Sequence, residues 1–167
     1  MGLAIRDARP GDRAAIQAIN RDGQPGVTAL SEAEIDACLA RATLFRVALE
    51  GDLVSAYVIA LAPGFAEIGD EYAWFSRRLD SFLYVDQIAV AAGAQRQGVA
   101  SALYADLERA ARERDLGRLV CEVNLRPPNP RSLALHASRG FRELGRLEVS
   151  DGRFVALLAK ELEQPAA

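Results

Sequence analysis

The stretch G-A-Q-R-Q-G-V-A-S, from Gly93 to Ser101, carries the clearest chemistry in the chain. Gly93 and Gly98 have four residues between them and stand after the apolar run Ile88, Ala89, Val90 and before an amphipathic segment. A strand, a glycine-bearing turn and a helix start leave backbone N–H groups bare at the positive end of a helix dipole, which suits phosphate. The same G-x-x-x-x-G spacing opens the P-loop, but that pattern continues with lysine and a hydroxyl residue, and here Val99 and Ala100 occupy those places. Without the lysine for the outer phosphates and the hydroxyl for magnesium, nucleotide hydrolysis has no evident machinery. No G-x-G-x-x-G is present for a dinucleotide either. What remains is a turn able to hold a pyrophosphate through its amides, with no metal.

Several other chemistries drop out on composition. His136 is the only histidine, and Cys38 and Cys121 are the only cysteines and form no C-x-x-C, so zinc constellations lack ligands. The neighbours of the two thiols, EIDACLA and LVCEV, read as the buried faces of a helix and a strand. No G-x-S-x-G elbow is present for a serine hydrolase. The formal charge is -3 with arginines and lysine scattered, which argues against a nucleic-acid partner. No apolar run reaches the roughly 20 residues of a bilayer span, and the start MGLAIRDARPGDR lacks the pattern of a secretory signal, so a cytoplasmic protein without membrane contact is expected. With 167 residues, 50% of them hydrophobic and 26% charged, the chain has the size of one domain over residues 1–167.

The elements that must position the turn are legible from period and punctuation. LAIRDA alternates like an edge strand, and GDRAAIQAIN places Ile16 and Ile19 at helical spacing. In LSEAEIDACLAR, Ser31 and Glu34 form a capping box before the stripe Ile35, Cys38, Leu39. TLFRVALE and LVSAYVIAL are strands joined at Gly51-Asp52 in a hairpin, and RELGRLEVS and RFVALLAKEL form a second one through Asp151-Gly152. Between them lies a strand, SFLYVDQIAV, then a helix with Val99, Leu103, Leu107 and Ala110 on one stripe, then a strand, RLVCEVNL, long enough for a right-handed parallel crossover. A last helix runs from Pro130 to about Arg139, with Asn129 as N-cap and Gly140 just past its end. The segment PGFAEIGDEYAWFSRRLDSF is long for a strand connection and reads as a lid, with Glu67, Asp70 and Glu71 beside Trp74 and Phe75 suiting a cationic amine. The tail EQPAA reads as frayed.

Two ordered motifs carry a family resemblance. Q-R-Q-G-V-A, Gln95 to Ala100, fits [QR]-x-x-G-x-[GA], and N-P-R-S-L-A-L-H-A-S-R-G-F, Asn129 to Phe141, resembles N-x-x-[AS]-x-x-x-Y-x-x-x-G-F. Both are motifs of the GNAT acyltransferase superfamily, and the order of elements is similar over essentially the whole chain. The resemblance implies an α/β (α+β) fold: a mixed, mostly antiparallel sheet of six or seven strands flanked by about four helices, splayed between the fourth and fifth strands. It implies acetyl-CoA as cosubstrate, with the backbone of Ile88, Ala89 and Val90 pairing with the pantetheine amides. The pyrophosphate would lie against Gln95, Arg96, Gln97, Gly98, Val99, Ala100 and Ser101, and the Asn129 side chain would contact CoA.

The resemblance also implies the catalytic candidates. His136 stands where the family usually has the tyrosine that returns a proton to the departing thiolate; it is either a histidine general acid or a helix residue that packs beside CoA and transfers nothing. Tyr84 and Tyr104 are reserves for that role. Glu122, in V-C-E-V-N, matches the glutamate that serves as general base in an N-terminal acetyltransferase of the superfamily; the alternative is a strand carboxylate facing solvent or paired with an arginine. The expected activity is acetyl transfer to a primary amine of a small molecule or peptide, by direct attack on the thioester. Rivals are a non-catalytic acyl-CoA sensor of the same fold and a magnesium-dependent nucleotide binder built on the glycine turn. Domains of this kind often pair as homodimers.

Overall fold

The computed structural model describes residues 2–66 and 68–163. Among these residues there are seven strands, β1 (Leu3–Asp7), β2 (Leu44–Glu50), β3 (Leu53–Leu61), β4 (Leu83–Val90), β5 (Arg118–Arg126), β6 (Arg142–Glu148) and β7 (Phe154–Glu161). There are five α-helices, α1 (Arg13–Gly23), α2 (Glu32–Arg41), α3 (Asp70–Ser76), α4 (Val99–Glu113) and α5 (Pro130–Ser138). The sheet order is β1-β2-β3-β4-β5-β7-β6, with β4 and β5 as its parallel pair. That is the expected mixed sheet with seven strands, and one helix, α3, beyond the four expected. Glu67 of the expected lid and the tail beyond Glu163 lie outside the described residues.

The chain forms two compact units, one made of residues up to Leu61 with Val85–Leu107, the other of Ala62–Tyr84 with the chain from Glu108 onward. In the first, β1, β2 and β3 run antiparallel, with Ile5 opposite Ala48 and Val47 opposite Tyr57. Their inward side chains Phe45, Val47, Leu49, Tyr57 and Ile59 pack on Ile16 and Ile19 of α1, Ile35 of α2 and Ala89 of β4. This is the apolar stripe anticipated from helical spacing, with Cys38 and Leu39 packed at its margin. The capping box of α2 is formed as read: the Ser31 N–H donates to Glu34 Oε2 at 2.7 Å, and the Glu34 N–H donates to Ser31 Oγ at 3.2 Å.

In the second unit β7 lies between β5 and β6, antiparallel to both, with Glu122 opposite Leu157 and Arg146 opposite Ala156. The first residues of β4 join β5 in parallel, Leu83 opposite Leu119 and Tyr84 opposite Val120. The long segment before β4 is stitched down: the Tyr72 hydroxyl donates to the Ala62 carbonyl at 2.7 Å and accepts from the Phe65 N–H. Tyr72, Phe82 and Tyr84 stack edge to face, and Phe75 lies against Tyr84. Trp74 lies so close over β6 that a Cβ on Gly145 would come within 2.8 Å of its ring, so a side chain there would have to displace the indole that seats α3 on the strand. A buried carboxylate, Glu108, receives Lys160 Nζ at 2.7 Å and Arg139 Nη2 at 3.1 Å, tying α4, β7 and the end of α5 together.

Candidate functional site

In the first unit the site residues lie along the end of β4, the turn and the start of α4. Alternation along the strand buries Ala89 in the core and leaves Ile88 and Val90 half-buried on the opposite face. The strand ends where the Ala91 N–H donates to the Ser55 carbonyl at 2.8 Å, and a single 3-10 turn over Ala92–Ala94 follows. The backbone then enters the left-handed region twice, at Arg96 (φ 62°) and Gly98 (φ 80°). Two such residues so close together turn the chain into a concave run of amides, the shape that cups anions.

The first rung of α4 is Ala102 N–H to the Gly98 carbonyl at 3.0 Å. The N–H groups of Val99, Ala100 and Ser101 precede that rung, so the helix itself offers them no acceptor, and the helix dipole stands behind them. A Cβ built on Gly98 meets no atom within 4 Å, so the space over this backbone is open. Gln95 and Gln97 turn back on their own loop, Gln95 Nε2 to the Val90 carbonyl at 3.3 Å and Gln97 Nε2 to the Gly93 carbonyl at 3.0 Å. Their amide groups brace the turn. An open helix start with unpaired N–H groups suits an anion such as a phosphate.

In the second unit the β4–β5 register brings two candidates together. Tyr84 is opposite Val120, and Glu122 lies one pleat further along the same face of β5. The Tyr84 hydroxyl donates to Glu122 Oε2 at 2.7 Å, a short hydrogen bond of the charge-assisted kind. Tyr84 is buried, held by Tyr72 with ring centroids 5.5 Å apart and by Phe75 at 6.0 Å, so its hydroxyl has a fixed direction. Glu122 itself is half-buried. Next to it in sequence, Cys121 is buried on the other side of the strand, and burial, reinforced by the Glu122 charge, pushes its thiol well above the usual range. It is no nucleophile at neutral pH. Cys38 is likewise pushed up, to about 11, mainly by burial.

Two residues not singled out in the sequence extend this constellation. Asn124, two positions beyond Glu122, accepts from Arg153 Nη1 at 3.3 Å, and Arg153 also pairs with Glu71 of α3 and Asp151 of the β6–β7 turn. Asp70 accepts the Ser150 N–H at 2.9 Å. Asp70 and Glu71, read with Glu67 as an amine-attracting mouth, thus hold α3 to the β6–β7 turn. The signal that would have found this is the D-G-R run after an acidic helix start, but only with the strand order in hand.

Asn129 caps α5 as expected, its Oδ1 accepting the Ser132 N–H at 3.3 Å. His136 is buried, with 3% exposure, its ring edge-on to Phe141 at 5.0 Å. Its Nδ1 lies 2.7 Å from the Ser132 carbonyl, which only accepts, so Nδ1 carries the proton. Burial lowers the imidazole pKa below 6.5, the Ser132 carbonyl partly opposes that, and Arg139 adds to the lowering. The lowered pKa favours the neutral imidazole near pH 7, with its proton on Nδ1. Tyr104 is fully buried within the first unit.

Comparison with known proteins gives a consistent picture. The model of the acetyltransferase (GNAT) family matches residues 28–141. Among solved structures, the ribosomal-protein-S18-alanine N-acetyltransferase of Escherichia coli matches at 19% identity, over 99% of this chain and 97% of that one, with a TM-score of 0.75. Ard1 of Thermoplasma volcanium matches at 17% identity over 98% and 100% of the two chains, with a TM-score of 0.79. A GNAT superfamily phosphinothricin acetyltransferase of Sinorhizobium meliloti, in complex with AcCoA, matches at 23% identity over 100% and 92%, with a TM-score of 0.74. The search of curated proteins returned no match. Among the described residues no helix is long and apolar enough to cross a membrane, and no group of three or more His, Cys, Asp or Glu could hold a metal ion.

Proposed function

The chain belongs to the GNAT acetyltransferase family, and from that premise we propose that it moves an acetyl group from acetyl-CoA to a primary amine of a small molecule or peptide by direct attack on the thioester. The observation that carries the proposal is the Tyr84–Glu122 hydrogen bond, which gives the second unit a half-buried carboxylate with a fixed orientation. An amine attacks only as the free base, yet near pH 7 amines of pKa about 8–10 are mostly protonated. Glu122 takes that proton, directly or through a water, and Tyr84 holds the carboxylate in place while it does so. The N–H groups of residues 96–101 hold the pyrophosphate, the backbone of Ile88, Ala89 and Val90 aligns the pantetheine arm, and Asn129 contacts the coenzyme. Bound acetyl-CoA supplies the activated acyl group.

Tyr84, the reserve donor, takes precedence over His136 for returning a proton to the thiolate, because the proton its hydroxyl gives up is replaced by the one Glu122 takes from the amine. A histidine that is neutral, with its one proton committed to the Ser132 carbonyl, has none to give from Nε2. We assign His136 to packing at the end of α5, against Phe141. The same proposal treats residues 1–167 as one catalytic domain, working in the cytoplasm with its two cysteines as free thiols, alone or as a homodimer.

The test is incubation with acetyl-CoA and a panel of amines, small amines and short peptides with free N-termini, following thiol release. Thiol released in step with acetylated amine is the expected result. Acetyl-CoA bound tightly with no turnover on any amine supports the sensor instead, and magnesium-dependent ATP or GTP binding without CoA binding supports the nucleotide binder.

A further inference from the structure

The densest buried polar cluster of the first unit lies away from the residues assigned above. Asn20 of α1, Tyr57 of β3 and Gln87 of β4 are 1%, 0% and 7% exposed. The Tyr57 hydroxyl donates to Gln87 Oε1 at 2.8 Å, and Asn20 Nδ2 lies 3.0 Å from the Tyr57 oxygen and 3.1 Å from Gln87 Oε1. Asn20 has two amide hydrogens, and one of them goes to the Thr28 carbonyl at 2.9 Å, so the other is shared between Tyr57 and Gln87. Gln87 Nε2 donates to the same Thr28 carbonyl, also at 2.9 Å. On its acceptor side, Asn20 Oδ1 takes the Leu30 N–H at 3.0 Å and Gln24 Nε2 at 3.3 Å.

All the outward bonds of the cluster therefore end on one segment, residues 24–30, which joins α1 to α2. An apolar trio would fill the same space but would leave the Thr28 carbonyl and the Leu30 N–H to find partners elsewhere, and the segment would lose its fixed position. Apolar packing holds the same segment: Val27 and Leu30 lie against the core cluster that contains Ala89. The segment is thus fastened to β4 by the polar contact at Gln87 and packed on the core to which β4 contributes Ala89, beside the backbone assigned to the acyl arm.

We infer that Asn20, Tyr57 and Gln87 are positioning residues: they fasten residues 24–30 to β4 so that this segment forms a fixed wall beside the thioester, against which the acceptor amine is held. The acceptor part rests on the acyltransferase reading; the fastening does not. Burial raises the Tyr57 pKa to about 12, so the hydroxyl stays a donor throughout the working pH range.

The test compares the whole protein with Gln87→Leu, Tyr57→Phe and the double variant Asn20→Leu/Gln87→Leu. Amide hydrogen exchange needs no acceptor: exchange in residues 24–30, the Leu30 N–H above all, rises tenfold or more in Gln87→Leu and in the double variant, while β7 exchanges as in the wild type. Kinetics then use whichever amine of the panel the wild type turns over. The double variant leaves the buried Tyr57 hydroxyl, the Thr28 carbonyl and the Leu30 N–H without these partners and lowers the thermal midpoint, so kinetics are read well below it; there its KM for the amine rises at least fivefold with KM for acetyl-CoA within twofold. Restoring hydrogen bonding with Gln87→Glu at low pH, or with Asn20→Gln, recovers part of that loss. Unchanged exchange in residues 24–30 overturns the fastening. Raised exchange with unchanged KM for the amine overturns the wall, and absence of turnover on every amine sinks the acyltransferase reading while the exchange result still decides the fastening.

Discussion

Replacing Gly98 by valine separates the backbone cost of the turn from its service to a ligand. Gly98 has φ 80°, and a Cβ built there meets nothing within 4 Å, so the substitution collides with no protein atom. Its folding cost is backbone strain alone, about 2 kcal/mol for a β-branched residue in the left-handed region. For a chain of this size that is a fall in Tm of about 4–8 °C. The binding cost has a different origin. The space over Gly98 is where the pyrophosphate would meet the amides ahead of Ala102, and the valine methyls stand in it. Displacing one charge-assisted hydrogen bond loses about 1.5–3 kcal/mol, which raises Kd for CoA by about 10- to 150-fold. Gly93→Ala is the control: its Cβ also meets open space, its φ is not left-handed, and both Tm and Kd should stay at wild-type values. Titration calorimetry with CoA, well below both thermal midpoints, reads the second quantity without the first. If Gly98→Val melts earlier but binds CoA within twofold of wild type, the turn is a structural corner and the pyrophosphate lies elsewhere.

Three further outcomes are expected. Glu122→Gln lowers kcat by about 100-fold or more, and Tyr84→Phe by about tenfold, each with CoA affinity intact; a matching loss of CoA affinity in calorimetry would turn both into packing defects. His136→Phe leaves kcat within about threefold from pH 6 to 8. Were the imidazolium the acid, the wild-type rate would fall as pH rose through a value below 6.5, and that limb would vanish in the variant; a stopped assay across pH decides it. Glu108→Gln leaves Lys160 and Arg139 facing each other without their anion, costing about 2–3 kcal/mol after discounting for the partial exposure of the two cations, or about 4–12 °C in Tm. Burial would raise the Glu108 carboxyl pKa, but hydrogen bonds from Lys160 and Arg139 outweigh it and leave the value lowered. Its stabilisation is therefore present above the unfolded value near 4.5 and is lost as pH falls through the lower folded value, so the gap between wild type and variant should narrow as the pH is taken progressively below 4.5.

What could be read from the sequence is what short-range physics decides. The capping box at Ser31 and Glu34, the Asn129 cap and the glycine turn are each written within a few residues, because capping and turn geometry are local. The helix α3 was hidden for the same reason: seven residues long, it opens at Gly69 with no capping side chain, and its aromatic residues suit a lid as well as a helix. It holds together through partners far along the chain, Trp74 on Gly145 and Glu71 with Arg153, which no window of sequence contains. Tyr84 and Glu122 are 38 residues apart, and only the parallel register of β4 and β5 makes them neighbours. The Asn20, Tyr57 and Gln87 cluster draws on three elements and shows no periodicity at all.

His136 marks a different limit, because its position was legible and its chemistry was not. A motif assigns a side chain to a place on a helix; whether that side chain can donate a proton depends on what meets each nitrogen. On α5 the nearest acceptor is a product of helical geometry, since the carbonyl four residues back lies one turn below the ring and captures Nδ1 at 2.7 Å. Burial then removes the charged form that would have carried a second proton. A tyrosine at the same place has its only proton at the far tip of a longer ring, beyond reach of that carbonyl, and keeps it available. Exchanging tyrosine for histidine therefore preserves the helix and its packing on Phe141 but moves the one exchangeable proton from the tip of the side chain to its base, and the donor proposed instead is Tyr84, whose hydroxyl can be reprotonated through Glu122.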